Sequence, residues 1–397
     1  MSAMKVALVH DWLTGMRGGE KVLERIAAMH PEAPIFTLVW NRGSVSEALE
    51  SHPIHTSFLQ RMPGVATHYR WYLPFFAGAI ESFDLSAYDV VISTSHAVAR
   101  AVPTPASAFH ISYVHTPMRY VWDLESQYFP PGKFPWPISW YVRRTCASLR
   151  EWDRATGDRP QALLANSAYV AGRIARSYGR TATVVHPPVQ VQRFAAASRD
   201  TPRGDRYLLA GALAPYKRGD LSLAACRALG RSLLVVGSGQ EAARLQRDAG
   251  GTGAAAAVEF RGWMSEDELA RTYAGARALL FPGEEDFGIV PVEAMASGCP
   301  VIAFGKGGAL ETVGRGAPDD ALARVAAGGE AVVPGGVLFG TQTVEGITRA
   351  IALLESQPFD PEALRRQAAP FTAERFDREF TAAFDREYAA WKANRPA

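Results

Sequence analysis

Residues 281–303 read FPGEEDFGIVPVEAMASGCPVIA, and this stretch decides the fold. It predicts a strand, a loop, a helix and a second strand, which together form the repeating unit of a parallel sheet covered by helices. The turn at Gly283 to Gly288 is expected at the carboxyl edge of that sheet, where open α/β folds bind ligands. The following helix would offer free amides and the positive end of its dipole to an anion, so we predict a phosphate site here.

Short apolar runs rich in Val and Ile alternate with helical stretches along the whole chain. In the first half they are Lys5 to His10, Ile35 to Val39, Asp89 to Thr94, Ile111 to Val114 and Ala162 to Ala165. After the turn-rich His186-Pro187-Pro188 they restart as Tyr207 to Gly211, Ser232 to Gly237, Val258 to Gly262, Ala278 to Phe281 and Val301 to Ala303. Continuous apolar strands of this kind predict parallel sheets covered on both faces.

The fold class that we predict is α/β, with two Rossmann-like doubly wound domains facing a cleft. Residues 1–190 would form the N-terminal domain and residues 191–372 the C-terminal domain. The sequence also predicts helices. One example is Glu266 to Ala274, with Ser265 as its N-cap and Glu268 completing a capping box. The C-terminal stretch, about 373–397, predicts an amphipathic helix that joins the N-terminal domain and packs back across the domains.

Composition excludes several classes of protein. The 397 residues carry 42 Lys and Arg against 40 Asp and Glu, a net charge of +2, which provides no global field for nucleic acid. The three cysteines are far apart and form no Cys-x-x-Cys pair, which argues against a disulfide framework or a zinc site. The N-terminus lacks the pattern of a secretory signal, and no apolar run reaches the length of a membrane span. We therefore expect a cytoplasmic protein.

Two carboxylates flank the start of the helix in the opening stretch. Glu285 lies in the loop and Glu293 in the helix, so we expect them to hold two ends of one ligand without touching. A carboxylate is a good partner for vicinal hydroxyls, which suits a sugar on one side of a diphosphate and a ribose on the other. The alternative is that both are solvated surface residues of an ordinary amphipathic helix.

The full stretch resembles the Glu-x7-Glu signature of the family-four retaining glycosyltransferases, including Glu-x-Phe-Gly and Glu-Ala-Met-Ala-x-Gly-x-Pro-Val. The resemblance implies the two-domain GT-B fold. It assigns Glu285 to the transferred sugar and Glu293 to the nucleotide ribose. It also implies that the amides of Phe287, Gly288 and Ile289 bind sugar and phosphate oxygens.

A second motif, GALAPYKRGDL, covers residues 211–221 directly after a predicted strand. Members of the resembled family often carry an Arg and a Lys here, and both neutralise the leaving phosphate. Lys217 matches the family lysine, whereas Ala212 stands where the arginine is expected. Arg218 could replace that missing cation or could be an ordinary surface charge, and the sequence leaves both interpretations open.

The N-terminal half carries two further candidate sites. Gly18 and Gly19 follow the first strand and open a helix, and in the resembled family such a pair lies against the donor diphosphate. The pair does not form the Gly-x-Gly-x-x-Gly of nicotinamide or flavin sites. His115 follows another strand, and the family places a histidine here against the donor sugar. Taken alone, the glycines would indicate only a tight turn and the histidine a structural residue.

The phrases His-Thr-Pro-Met-Arg-Tyr and Ala-Pro-Tyr-Lys-Arg resemble more narrowly the bacterial mannosyltransferases of surface-polysaccharide assembly. We therefore expect a hexosyl unit, mannose from GDP-mannose, to move with retention to a saccharide acceptor. The chain has no Asp-x-Asp, so we expect no metal and no other cofactor, with protein cations in the metal's place. The alternatives are a UDP-sugar-dependent glycosyltransferase, a nucleotide-sugar epimerase, and a non-catalytic protein that binds sugar nucleotides.

Two stretches of the N-terminal half, residues 68–76 and 128–152, mix aromatic residues with positive charge. This combination is typical of a bilayer interface, where aromatic rings lie at headgroup depth and cations meet anionic lipid. It predicts peripheral contact with the inner face of an anionic plasma membrane and a lipid-linked acceptor. The alternative is that these aromatic residues form core and interdomain packing.

Overall fold

The structure is a computed structural model that describes residues 4–123, 125, 129, 132, 135–250 and 257–394. Contacts within the chain divide it into two compact units. Unit 1 comprises Met1–Pro188 with Glu374–Ala397, and unit 2 comprises Val189–Ala373.

Unit 1 contains a seven-stranded sheet in the order β3-β2-β1-β4-β5-β6-β7, and every pair of neighbouring strands is parallel. The strands are β1 (Val6–His10), β2 (Ile35–Thr37), β3 (Ile54–Thr56), β4 (Val90–Ser95), β5 (Phe109–Val114), β6 (Ala162–Ala165) and β7 (Thr183–Val184). Its first described helices are α1 (Gly18–Met29), α2 (Glu47–Glu50), α3 (Val65–His68), α4 (Phe76–Glu81), α5 (Arg119–Trp122), α6 (Trp136–Ala155) and α7 (Ala168–Tyr178). Short 3-10 segments cover Phe58–Arg61, Tyr69–Phe75 and Ala99–Ala101.

Unit 2 repeats this arrangement with seven strands in the order β10-β9-β8-β11-β12-β14-β13. The strands are β8 (Tyr207–Ala210), β9 (Leu233–Val236), β10 (Val258–Arg261), β11 (Leu279–Phe281), β12 (Val301–Phe304), β13 (Glu330–Val333) and β14 (Gly336–Phe339). The helices are α8 (Val191–Ser198), α9 (Gly219–Ala228), α10 (Ala242–Ala249), α11 (Glu266–Ala274), α12 (Ile289–Ala296), α13 (Ala309–Thr312), α14 (Asp319–Ala326), α15 (Val344–Glu355) and α16 (Pro361–Ala368). Pro215–Lys217 and Ala369–Phe371 form 3-10 segments.

Both sheets are buried on their two faces, which explains why the strands are continuously apolar. In β1, Leu8 packs into one hydrophobic cluster of unit 1 while its neighbours Ala7 and Val9 pack into another, as the two-residue period of a strand requires. In unit 2, Leu279 and Leu280 of β11 divide in the same way between two clusters. The predicted class of two Rossmann-like doubly wound units is confirmed.

The C-terminal helix α17 (Ala373–Ala393) returns to unit 1. Phe376, Phe380 and Phe384 are four residues apart and enter the same cluster as β5. Phe109 of β5 contacts the ring of Phe384 at a centroid distance of 5.8 Å. The aromatic residues that recur every four positions in the sequence therefore form the face by which this helix packs on unit 1.

The structure also departs from the predictions at several elements. β3, β7, β13 and β14 were not predicted, because the first two are only three and two residues long and the last two belong to a Gly-rich hairpin. β13 pairs with β14 in the antiparallel direction, at one edge of the otherwise parallel sheet of unit 2. The capping box of α11, with Ser265 and Glu268, is confirmed.

Candidate active site

Each sheet has one place where the strand order reverses, and the candidate residues of unit 2 lie there. Along the chain, strands are added on one side from β8 to β10 and on the other from β11 onward, so β8 and β11 are neighbours. Open α/β sheets bind ligands in the crevice outside the carboxyl ends of such a strand pair. Lys217 follows β8 and Glu285 follows β11, so the topology brings the two sequence motifs together.

Lys217 and Glu285 form an ion pair, with 2.8 Å between Nζ and Oε1. Their side chains are only 19% and 14% exposed, so water screens the pair less than it would on an open surface. The two loops approach backbone to backbone, because a Cβ added at Gly283 would lie 2.8 Å from Cα of Lys217. Only glycine fits at position 283, and this contact sets where the lysine stands relative to the glutamate.

A third loop, which follows β12, holds the Glu285 loop in place. Glu285 and Gly307 form an isolated parallel bridge, and the amide of Gly308 donates to the carbonyl oxygen of Glu285 at 2.8 Å. A side chain at Gly308 would clash with the backbone of Phe287. Sequence reasoning missed this support, although the pair Gly307-Gly308, three residues after the end of β12, was the available signal.

The helix α12 begins at the end of this loop. Gly288 is its N-cap at φ 91°, a left-handed conformation that favours glycine, and Ile289 is the first helical residue. The N-cap is a glycine and makes no side-chain cap bond. The predicted donor amides of Phe287, Gly288 and Ile289 lie at this end of α12, where the positive end of the helix dipole is located. The phosphate site expected here stays a prediction.

Glu293 lies in the second turn of α12 and is buried, with 6% of its surface exposed. Its Oε2 is 3.5 Å from the hydroxyl of Tyr273 in α11. Burial, together with the charge of Glu293, raises the pKa of Tyr273 well above its usual value, so this hydroxyl stays a donor. Glu293 is thus a carboxylate inside unit 2, and the alternative of a solvated surface residue is wrong for it.

Arg218 is directed elsewhere. It adopts φ 52°, and its guanidinium contacts Asp220, with 3.1 Å from Nε to Oδ1 and from Nη2 to Oδ2. A pocket at the edge of the sheet is lined by Ala212, Lys217 and Glu285 but not by Arg218. The structure therefore brings Lys217 to the pocket and does not bring Arg218 there.

In unit 1, the predicted residues Gly19 and His115 lie side by side. A Cβ added at Gly19 would be 3.5 Å from Nε2 of His115 and 3.6 Å from Cε1 of His10, so the start of α1 lies against two imidazoles. Gly18 is the first residue of that helix. Burial lowers the pKa of His115 well below its usual value, and the neighbouring His96 and His10 lower it further. His115 is therefore a neutral imidazole at physiological pH.

Three polar residues of this edge were missed from the sequence: His10, Asp11 and His96. The ring centroids of His10 and His96 are 5.7 Å apart, and those of His96 and His115 are 6.3 Å apart. The available signal was a polar pair at the end of β1, His10-Asp11, and a histidine just after β4. Polar residues at strand ends are common, so this signal alone does not identify a site.

Within the described part of the chain, no helix combines the length and the apolar character that a membrane span requires. In the same residues, no group of three or more His, Cys, Asp or Glu side chains is placed so that it could hold a metal ion.

Comparison with known proteins finds a family model that unit 2 matches and relatives that resemble part of the chain. Residues 190–370 match the family model described as "Glycosyl transferases group 1". A D-inositol 3-phosphate glycosyltransferase of Streptomyces bingchenggensis is 31% identical, with 49% of this chain and 53% of the relative covered. A GDP-mannose-dependent alpha-(1-6)-phosphatidylinositol monomannoside mannosyltransferase of Mycolicibacterium smegmatis is 33% identical, with 40% and 48% covered. The chain spans about half the length of these two relatives.

Solved structures share the fold over almost the whole chain. Anabaena Alr3699/HepE in complex with UDP-glucose superposes with a TM-score of 0.62 at 16% identity, covering 96% of this chain and 99% of that one. WaaG, a glycosyltransferase involved in lipopolysaccharide biosynthesis, gives a TM-score of 0.58 at 17% identity, covering 95% and 98%. At such identities the likeness shows the fold alone.

Proposed function

We propose that this chain is a retaining glycosyltransferase, and the match of residues 190–370 to the family model of group 1 glycosyl transferases supports this proposal. Unit 2 binds a nucleotide sugar and unit 1 binds a saccharide acceptor. The observation that carries the proposal is the shielded ion pair between Lys217 and Glu285 at the strand reversal of unit 2. It supports the proposal because a diphosphate needs a cation and sugar hydroxyls bind well to a carboxylate, and these two groups lie 2.8 Å apart.

In the proposed reaction, the bond between the anomeric carbon and the diphosphate oxygen breaks. A bond from the same carbon to an acceptor oxygen forms on the same face, and the acceptor proton passes to an oxygen of the leaving diphosphate. Lys217 and the first amides of α12 stabilise the negative charge that develops on the leaving group. Glu285 positions the sugar and does not attack it.

We propose that protein cations take the role that a divalent metal has in other glycosyltransferases, and that no cofactor is needed. Lys217 is the cation of the pocket, and the helix dipole of α12 adds to it. Because Ala212 removes a second side-chain cation from this pocket, the lysine carries more of the charge stabilisation than it would beside an arginine. Arg218 is held by Asp220 and is not assigned to the leaving group here.

The donor that we propose is GDP-mannose. The narrow resemblance of the sequence motifs supports it, as does the GDP-mannose dependence stated for the relative of Mycolicibacterium smegmatis. A UDP sugar is the second candidate, since the Anabaena protein with the same fold was solved in complex with UDP-glucose. Glu293 is proposed to bind the ribose, which both donors share.

The acceptor that we propose is lipid-linked, at the cytoplasmic face of an anionic membrane. Aromatic side chains support this: Trp71 is 75% exposed, and Trp136 on α6 is 79% exposed. Trp140 and Tyr141 are also exposed, and the guanidinium of Arg144 lies over the ring of Trp140. Exposed aromatic rings beside cations are suited to a bilayer interface.

Other members of the same stretches pack inside unit 1, as the alternative interpretation expects. Tyr69 and Phe76 are buried in a core cluster, and Phe129 packs against that cluster. The indole of Trp152 donates to Glu81 at 2.9 Å. Tyr128, Lys133 and Phe134 lie outside the described residues. The two stretches therefore divide between core packing and exposed surface, and only the exposed part supports the membrane proposal.

The function can be tested with the purified chain and a panel of GDP-mannose, UDP-glucose, UDP-N-acetylglucosamine and ADP-glucose. We expect GDP-mannose to raise the thermal midpoint most, because a ligand of the folded state stabilises it. With an alkyl mannoside as acceptor, the product should keep the α configuration of the donor, as read by NMR. Release of an altered nucleotide sugar without transfer would identify an epimerase, and binding without turnover would identify a non-catalytic protein.

A further inference from the structure

The reversal of strand order in unit 1 lies between β1 and β4, and it carries a pair of residues that the proposed function does not use. Asp11 follows β1 and His96 follows β4. This is the position where open α/β sheets bind their ligands. The two residues are close together, because Nδ1 of His96 lies 3.2 Å from Oδ2 of Asp11.

Asp11 is fixed by its surroundings. Its side chain is fully buried and accepts hydrogen bonds from four successive amides. The amides of His96 and Ala97 donate to Oδ2 at 2.6 and 2.9 Å, and those of Val98 and Ala99 donate to Oδ1 at 2.7 Å. Asp11 thus ties the end of β1 to the segment after β4. A purely structural role would account for this carboxylate, but it would not explain the histidine at position 96.

The ring of His96 is held on two sides. Asp11 contacts its Nδ1, and the indole of Trp12 meets it edge to face at a centroid distance of 4.4 Å. With Nδ1–H donating to the carboxylate, the tautomer leaves Nε2 as a hydrogen-bond acceptor. Burial lowers the pKa of His96, although the charge of Asp11 acts in the opposite direction. Since 27% of this side chain is nevertheless exposed, a ligand can reach the ring.

The groups around His96 are imidazoles and charged side chains. Nδ1 of His10 shares a 2.6 Å hydrogen bond with Oγ1 of Thr94, and His115 is neutral because of its burial. The carboxylate of Glu20 lies beside His10, with 3.9 Å between Oε1 and Nε2, and Arg17 precedes it at the start of α1. A neutral imidazole with one ring nitrogen already hydrogen-bonded still offers the other nitrogen as a donor or an acceptor. Such a surface suits the hydroxyls of an uncharged sugar better than it suits a phosphate.

We propose that His96 binds the acceptor, with its Nε2 accepting a hydrogen bond from a hydroxyl of the saccharide while Asp11 holds the ring in place. This inference rests on the proposed function, because it needs an acceptor on unit 1. His96 does not take the reacting proton, which passes to the leaving diphosphate. His96 therefore affects the use of the acceptor and leaves the donor unaffected.

Two substitutions test the roles of the two ring nitrogens of His96 separately. His96→Asn keeps a donor near the position of Nδ1 and loses the group at Nε2, whereas His96→Gln places an amide oxygen near Nε2. With GDP-mannose and an alkyl mannoside, we expect His96→Asn to raise the acceptor KM about fivefold, as the loss of one neutral hydrogen bond predicts. The donor KM should not change, and His96→Gln should recover most of the loss. His55→Asn, at an exposed histidine of β3, is the matched control.

Three results would overturn the inference: an unchanged acceptor KM in His96→Asn, an equal rise in the donor KM, or a His96→Gln variant as impaired as His96→Asn. Thermal unfolding of each variant shows whether the fold is intact. If His96→Asn unfolds early, the ratio of transfer to donor hydrolysis in the folded fraction of His96→Gln decides the question. A wild-type chain that consumes none of the four donors would instead overturn the proposed function, and this inference with it.

Discussion

The two units of this chain repeat one topology but carry different chemistry at the same place. In unit 2, the strand reversal between β8 and β11 carries the ion pair of Lys217 and Glu285. In unit 1, the reversal between β1 and β4 carries imidazoles, and its carboxylate, Asp11, is occupied by backbone amides. All nine histidines of the sequence lie in the part of the chain that forms unit 1.

This difference indicates how two units of the same fold can divide donor binding and acceptor binding between them. A ligand with a diphosphate requires positive charge, whereas a sugar hydroxyl requires neutral donors and acceptors. The backbone frame of the two sites is alike, so the assignment of donor and acceptor depends on the side chains that each reversal carries. This division of tasks would be wrong if positive charge in unit 2 were unimportant for transfer. It would also be wrong if the protonation state of the histidines in unit 1 were unimportant.

The largest effect is expected from Lys217→Ala. Removing the cation that balances the leaving diphosphate should lower kcat by about a hundredfold or more. Lys306→Ala is the matched control, because Lys306 pairs with Glu284 at 3.0 Å in a neighbouring, more exposed position. Steady-state kinetics with GDP-mannose measure both, and equal losses in the two variants would contradict the assignment of Lys217.

The same assay tests the proposal that protein charge replaces a metal. Transfer should survive EDTA, so that the loss in Lys217→Ala exceeds any loss caused by the chelator. An absolute requirement for Mg²⁺ or Mn²⁺ would remove the reason for assigning the charge of unit 2 to the lysine.

The next largest effect concerns the two glutamates. Glu285→Gln should leave the fold intact and lower kcat by about tenfold or more, because Glu285 faces the reacting sugar. Glu293→Ala should instead raise the donor KM, because Glu293 is proposed to hold the ribose. Glu284→Gln, one residue away and paired with the exposed Lys306, serves as the control. Near-wild-type turnover in both variants would exclude this site.

The sequence predicted the fold class and most elements because buried parallel strands are continuously apolar and therefore easy to recognise. It also predicted that Lys217 and Glu285 belong to one site, since each follows a strand of the same sheet. It could not predict the ion pair itself or the support from Gly307 and Gly308, because those depend on how three loops fold over one another.

The histidines of unit 1 show a second reason why the sequence alone could not predict the whole site. His10, Asp11 and His96 come from two strands whose ends are 85 residues apart in sequence and adjacent in the sheet. Without the strand order, nothing links a polar pair after β1 to a histidine after β4. Arg218 shows the same limit, because the sequence does not show that its guanidinium pairs with Asp220.

A smaller effect should distinguish unit 1 by its response to pH. Burial lowers the pKa of His110 in β5 to about 3, and the nearby Arg100, Arg180 and Arg159 contribute. The unfolded chain gains a proton below its ordinary pKa of about 6.5, whereas the folded state remains neutral down to about 3. The contribution of neutral His110 to the free energy of unfolding is therefore full above pH 6.5 and falls as the pH decreases toward 3. The slope of this decrease approaches about 1.4 kcal/mol per pH unit.

Hydrogen exchange of peptides that cover β5 can measure this slope in unit 1. In His110→Gln, which keeps a hydrogen-bonding group near Ser93, the slope should decrease by about that amount between roughly pH 5.5 and 4.5. Peptides of β8 and β11 provide the internal control, because unit 2 contains no histidine. A variant with the wild-type slope would show that carboxylates alone cause the acid sensitivity.

The smallest expected effect concerns the exposed surface of unit 1. Arg143 and Arg144 lie on α6 with the exposed rings of Trp136 and Trp140, so changing both arginines to Glu should repel anionic lipid. In flotation with vesicles that contain phosphatidylserine, we expect the wild type to bind at low salt, with binding weakened at about 0.15 M salt. The double variant should bind about fivefold less, since two favourable charges become unfavourable.

The matched control reverses two exposed arginines of unit 2, Arg324 and Arg366, which changes the net charge equally. If net charge alone governs binding, both double variants will float alike. If the α6 surface is specific, only the variant of unit 1 will lose binding, because aromatic rings and cations act together there. A wild type that stays unbound at low salt and transfers equally well to a lipid-free acceptor would contradict the membrane proposal. In that case the contrast between a charged donor unit and a neutral acceptor unit would stand without a bilayer.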